Sequence, residues 1–136
     1  MIQLYGSCTN AFLFSGSDSA PHPIIAKRGR VEGKSRPPAG VFTQPFATQY
    51  VILALEEAIE RGVIKEEEVT QERLEQFLGG FGRQFYKLPD TAKGNRIVLE
   101  RKGARIPESI KSEDNSVEVA LSRGGANVLS LSWDTL

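Results

Sequence analysis

The chain has 136 residues, with 17 basic and 17 acidic side chains that cancel to a formal net charge of zero, which excludes the overall positive field of a nucleic-acid or anionic-membrane binder. Its 40% hydrophobic and 25% charged residues are the composition of an ordinary globular domain. No apolar run is long enough to span a bilayer, the lone Cys8 excludes an internal disulfide and fits a reducing compartment, and Met1 to Phe14 lacks the basic-then-apolar order of a secretory signal, so a soluble, cytoplasmic protein without membrane or nucleic-acid partners is expected.

Taken in chain order, Ala11-Phe12-Leu13-Phe14 with Ser15 reads as a buried, parallel-type strand. It runs into Gly16-Ser17-Asp18-Ser19-Ala20-Pro21-His22, where a carboxylate and the only histidine stand four residues apart. Strand C-terminal ends are where α/β folds place catalytic groups, and Pro21 stiffens the tether between Asp18 and His22. Asp18 can serve there as a metal ligand or general base, and His22 can donate to an anionic substrate. The competing reading is an Asp that forms a turn and a solvated His.

Lys27 to Arg36 is basic and closed by Pro37-Pro38. A solvated loop is the stronger expectation there, ahead of a phosphate contact, because no aromatics interleave the charges. Ala47 to Arg61 reads as a helix with Tyr50, Val51, Leu53, Ala54 and Ala58 near one face and Gly62 as its C-terminal stop. Lys65 to Glu68 is an acidic run that reads as a solvated surface or a short helical turn. Thr70 caps a second helix through about Leu78, and Gly79-Gly80 is expected to end it. Phe81, Phe85 and Tyr86 read as core. Beyond Pro89 the period shortens: Ile97–Leu99, Val117–Leu121 and the alternating Leu129, Leu131 and Trp133 are expected strands. Gly79-Gly80-Phe81-Gly82 lacks the Lys-Ser or Lys-Thr of a phosphate loop.

Several of these segments carry a resemblance. Asp18-Ser19-Ala20-Pro21-His22, the basic loop and Ala39-Gly40-Val41-Phe42, followed by Leu74-Glu75-Gln76-Phe77, Phe85-Tyr86-Lys87-Leu88-Pro89, Ile106-Pro107-Glu108-Ser109-Ile110 and Leu131-Ser132-Trp133, resemble, in order, the C-terminal motifs of the dihydroorotase family. The likeness covers the chain from about Phe12. It departs near Val119-Ala120-Leu121 and Gly124-Gly125, where the family has a Pro-Phe-x-x-Gly segment, and Met1 to Asn10 does not follow it, which fits a divergent piece of the preceding segment or, the favoured reading, sequence from an unrelated or misassigned start.

The resemblance implies an α/β fold: the C-terminal portion of a metal-dependent-hydrolase (β/α)8 TIM barrel, with its last strand and helix in 11–62 and a closing segment of helix and short strands of the same domain in 63–136, after a poorly matching 1–10. It implies a zinc-dependent cyclic amidohydrolase of pyrimidine biosynthesis, which interconverts dihydroorotate and N-carbamoyl-aspartate and is homodimeric when complete. By the same resemblance Asp18 is a metal-site carboxylate that acts as general base and then general acid, His22 holds the substrate carboxylate, and Ala39 lends backbone contacts. One or two zinc ions are implied, held mostly by a His-x-His pair and other ligands that this chain does not contain. A whole barrel of this type needs about 250 residues. The expectation is therefore a truncated chain, inactive alone, with a non-catalytic dihydroorotase-like binding module as the alternative.

Overall fold

A computed structural model of the chain describes residues 14–27, 36–89 and 95–135. Its helices are α1 (Ile24–Lys27), α2 (Ala47–Glu60), α3 (Gln71–Glu75) and α4 (Phe81–Phe85), and its strands are β1 (Asn95–Arg105), β2 (Ser109–Lys111), β3 (Glu118–Ala120) and β4 (Asn127–Thr135). These fall into two compact units, one holding residues 17–65 and 95–135, the other 14–16 and 66–89. The expected strand at Ala11–Ser15 lies mostly outside the described residues, and Phe14 and Ser15 have no regular structure.

In the first unit, α2 follows a tight turn at Gln44–Phe46 with Pro45 in its first positions, where a missing N–H costs nothing. The helix ends as its sequence predicts. Gly62 takes φ +67, its N–H donates to Ile59 O at 2.9 Å and the Val63 N–H to Ala58 O at 2.9 Å, which together satisfy the last carbonyls. Its buried stripe is rotated from the expected one. Tyr50 and Leu53 pack with Phe46 against the core, Gln49 is the buried helix residue, and Ala54 faces solvent. The inward stripe is therefore 46, 49, 50 and 53, a spacing of three to four that a run of apolar residues all round the helix had masked.

That core is Ile106, Leu121 and Val128, fastened by backbone bonds between the short strands. Ile106 N–H donates to Ala126 O at 3.0 Å, Gly125 N–H to Ile106 O at 2.8 Å, and Leu121 N–H to Glu108 O at 3.0 Å. Gly124 and Gly125, where the family pattern is broken, sit against Glu108: a Cβ on Gly124 would stand 2.9 Å from the Glu108 Cα. β1 and β4 form an antiparallel ribbon that pairs Ile97 with Trp133 and Leu99 with Leu131. A bulge separates Glu100 from Ala104, with Gly103 at φ +76. β2 and β3 form a second antiparallel pair that the sequence only half announced.

In the second unit, Thr70 caps α3 as expected, its Oγ1 accepting from the Arg73 N–H at 3.3 Å. Gly79-Gly80 does not stop the helix. The chain passes through Gln76–Gly80 as one wide helical turn and continues into α4. Gly80, with no Cβ, leaves room for the Gln76 side chain over that turn. The stop comes at Lys87, at φ +53, with Lys87 N–H on Gln84 O and Leu88 N–H on Arg83 O. Phe14, Phe85 and Tyr86 stack with centroids 5.0 to 5.8 Å apart. Phe85 and Tyr86 remain 56% and 63% exposed, so two of the three aromatics expected as core lie at the surface, while Phe81 is half-buried.

Candidate functional site

The segment that carries Asp18 is held along its length by the segment 38–44. The alternation of side chains does the work. Ser17 Oγ donates to Gln44 Oε1, and Ser17 O accepts from Thr43 Oγ1 at 2.8 Å. Ser19 Oγ accepts from the Thr43 and Gln44 N–H groups at 3.2 and 3.1 Å, so it satisfies the donors that open the turn leading into α2. At the next residue, Ala20 N–H donates to Val41 O at 2.9 Å.

Between the two anchored serines, Asp18 takes φ +43 and is exposed. Few residues other than glycine adopt that conformation, Asp among the more tolerant. Its carboxylate has no hydrogen-bond partner among the described residues. A carboxylate held at an unfavourable φ by fixed neighbours is stored strain of the kind found at working sites, and it leaves an oxygen donor free to bind a cation or take a proton.

His22 lies two residues beyond Ala20, just before Pro23, which bridges to Val119 of β3 and opens α1. The imidazole is half-buried and without a hydrogen-bond partner among the described residues. Ala39 is exposed and precedes Gly40, which lies against Ala20. The Ala20–Gly40 contact thus brings into one place the segments that carry all three expected site residues. Sequence reasoning missed what holds this place together. Lys27, grouped with the solvated basic loop, is half-buried: its Nζ donates to Pro38 O at 2.6 Å and to Gly40 O. Arg36 at the far end of that loop is exposed, and residues 28–35 lie outside the described residues.

No family model matches the chain. Individual relatives do. The chain is 38% identical over 104 residues to the probable dihydroorotase of Schizosaccharomyces pombe, which covers 76% of this chain and 26% of the relative. It is similar in fold and sequence to the crystal structure of Saccharomyces cerevisiae dihydroorotase in complex with 5-fluoroorotic acid, at a TM-score of 0.65 and 31% identity over 89% of this chain.

Over this stretch the chain is a homologue of dihydroorotases.

It spans 26 to 30% of the length of the curated dihydroorotases it matches. The dihydroorotase of Campylobacter jejuni has the same fold over this stretch, at a TM-score of 0.57 and 22% identity. The departures from the dihydroorotase pattern at Gly124-Gly125 therefore sit within a retained fold.

Against the zinc that the dihydroorotase resemblance implies, the donors present fall short. Among the described residues no three His, Cys, Asp or Glu side chains come together as a metal cage. A closed zinc site takes three or four protein ligands, and Asp18 supplies one oxygen at most two. The described residues do not by themselves fit the ion. Nor is any described helix long and apolar enough to cross a membrane.

Proposed function

We propose that this chain supplies one part of a dihydroorotase: the closing strand, helix and capping layer of a (β/α)8 barrel whose other strands carry most of the zinc ligands. The whole enzyme hydrolyses the cyclic amide of dihydroorotate to N-carbamoyl-aspartate, reversibly, as a step of cytoplasmic pyrimidine biosynthesis, and works as a homodimer. The observation that carries this reading is Asp18, an exposed carboxylate at φ +43 between two anchored serines, with no partner among the described residues. The identity to known dihydroorotases supports it.

In this role the Asp18 carboxylate takes a proton from the water that adds to the ring amide carbon. It returns the proton to the ring nitrogen as the carbon–nitrogen bond breaks, and the two steps run in the opposite order during ring closure. His22 donates to the substrate carboxylate; the Saccharomyces cerevisiae relative was solved with an acid of this kind bound. Ala39 offers its backbone N–H and C=O to the polar edge of the ring, at the point where Gly40 has no side chain to obstruct approach.

The test joins this chain to the portion of the Schizosaccharomyces pombe relative that it does not match and follows dihydroorotate hydrolysis. Asp18→Asn is expected to lower kcat by about a thousandfold, and His22→Ala to raise KM with a smaller effect on kcat. Turnover that survives Asp18→Asn sinks the assignment of Asp18. A folded but inactive fusion with Asp18 in place points instead to a non-catalytic dihydroorotase-like module.

A further inference from the structure

Among the described residues of the basic run, Lys27 is half-buried and Arg36 exposed, and the two partners of Lys27 are informative. Its Nζ donates to Pro38 O and to Gly40 O, the carbonyls on either side of Ala39. An ammonium group is a compact charge with several donors, and here it spends two of them on backbone, which holds the 38–40 turn from beneath. The Ala39 N–H and C=O take no part in the clamp and have no hydrogen-bond partner among the described residues. On the other side of the turn, Gly40 at φ +102 abuts Ala20, and the Val41 carbonyl accepts from the Ala20 N–H. Lys27 itself closes α1, which starts two residues after His22, so the clamp ties the His22 segment to residues 38–40.

We propose that Lys27 is a positioning residue of the substrate site: by gripping the carbonyls that flank Ala39 it fixes the Ala39 backbone in the orientation that meets the pyrimidine ring. This rests on the substrate role of Ala39 given above. Lys27 touches no substrate. Its effect on binding passes through the turn, and loss of a bond to a charged group of this kind is expected to weaken binding about tenfold.

The test starts from the isotope-labelled chain as it stands. In the unsubstituted chain the Lys27 ammonium signal is expected to show through-bond couplings to the Pro38 and Gly40 carbonyl carbons. That measurement needs no variant. Lys27→Met is expected to shift both carbonyl signals together, with the β1 and β4 amides unmoved as a control for folding, and Lys27→Arg to restore them in part. Dihydroorotate added at millimolar concentration to the fusion with the unmatched portion of the Schizosaccharomyces pombe relative, labelled in the present residues, is expected to shift the Ala39 amide, with the response weakened about tenfold in Lys27→Met and recovered in Lys27→Arg. Absent couplings together with unmoved carbonyls overturn the clamp. An intact clamp with an equal Ala39 response in wild type and Lys27→Met overturns the positioning role. An intact clamp with no Ala39 response in any form overturns the substrate role of Ala39 on which the proposal rests, and the positioning role with it.

Discussion

Gly40 lies so close to Ala20 that a Cβ built on it would stand 2.5 Å from the Ala20 Cβ and 3.0 Å from the Ala20 carbonyl oxygen. Its φ of +102 adds a second demand for glycine. Gly40→Ala is therefore expected to lose about 2 kcal/mol from steric contact and left-handed strain together. Urea denaturation checks this through the midpoint. A midpoint equal to that of the unsubstituted chain would mean that the two segments do not meet.

Tyr50 joins α2 to the small strands through its hydroxyl, which donates to the Ser122 carbonyl, while the Ser122 N–H donates to Phe42 O at 3.1 Å. Burial raises the phenol above its ordinary 10.0, against the opposing pull of the Ser122 hydrogen bond and the Arg123 charge. A group whose folded pKa is raised keeps its contribution below the unfolded value and loses it as pH climbs through the folded one. Tyr50→Phe should thus cost about 1 kcal/mol at neutral pH. It should also remove part of the fall in stability above pH 10.0, read by denaturation midpoints across an alkaline series.

Asp114 shows the opposite sign. Its carboxylate accepts from Ser112 Oγ at 2.6 Å, from Ser116 Oγ at 2.8 Å and from the Ser116 N–H at 3.1 Å, and these bonds, that of Ser112 foremost, lower its pKa to about 2 from 3.8. The contribution is whole above 3.8 and is lost as pH falls through about 2. In a carbon-13 titration, Ser112→Ala is expected to move the Asp114 midpoint upward. An unmoved midpoint would contradict the turn between β2 and β3.

The helix stop at Lys87 makes a prediction that the sequence alone would have placed elsewhere. A side chain at φ +53 in the position that glycine favours is strained. Lys87→Gly is expected to gain about 1 kcal/mol locally, seen as slower exchange of the Leu88 amide, which bonds Arg83 O at 2.9 Å. Faster exchange would show that the lysine side chain outweighs the strain.

How far the sequence could be read follows from these positions. Gly62 ended α2 as expected because nothing else competed for the left-handed site. Gly79-Gly80 misled because glycine permits a left-handed stop without requiring one, and the wide turn kept both residues helical. The period-two pattern at Leu129, Leu131 and Trp133 located β4, yet the residue it buries is Val128, on the opposite face. Asp18, His22 and Ala39 were singled out by motif, and their segments share one place. Ser17, Ser19 and Lys27 were not, because their hydrogen bonds run to backbone and to residues 11 to 27 positions away, where no local pattern records them.

The measurement that bears most directly on the account is zinc-supplemented dihydroorotate hydrolysis by this chain alone, run beside the fusion that restores the unmatched portion of the Schizosaccharomyces pombe relative. The account predicts no turnover by the chain alone and turnover by the fusion, since Asp18 needs metal ligands and barrel strands from outside these residues. Turnover by the isolated chain would contradict it.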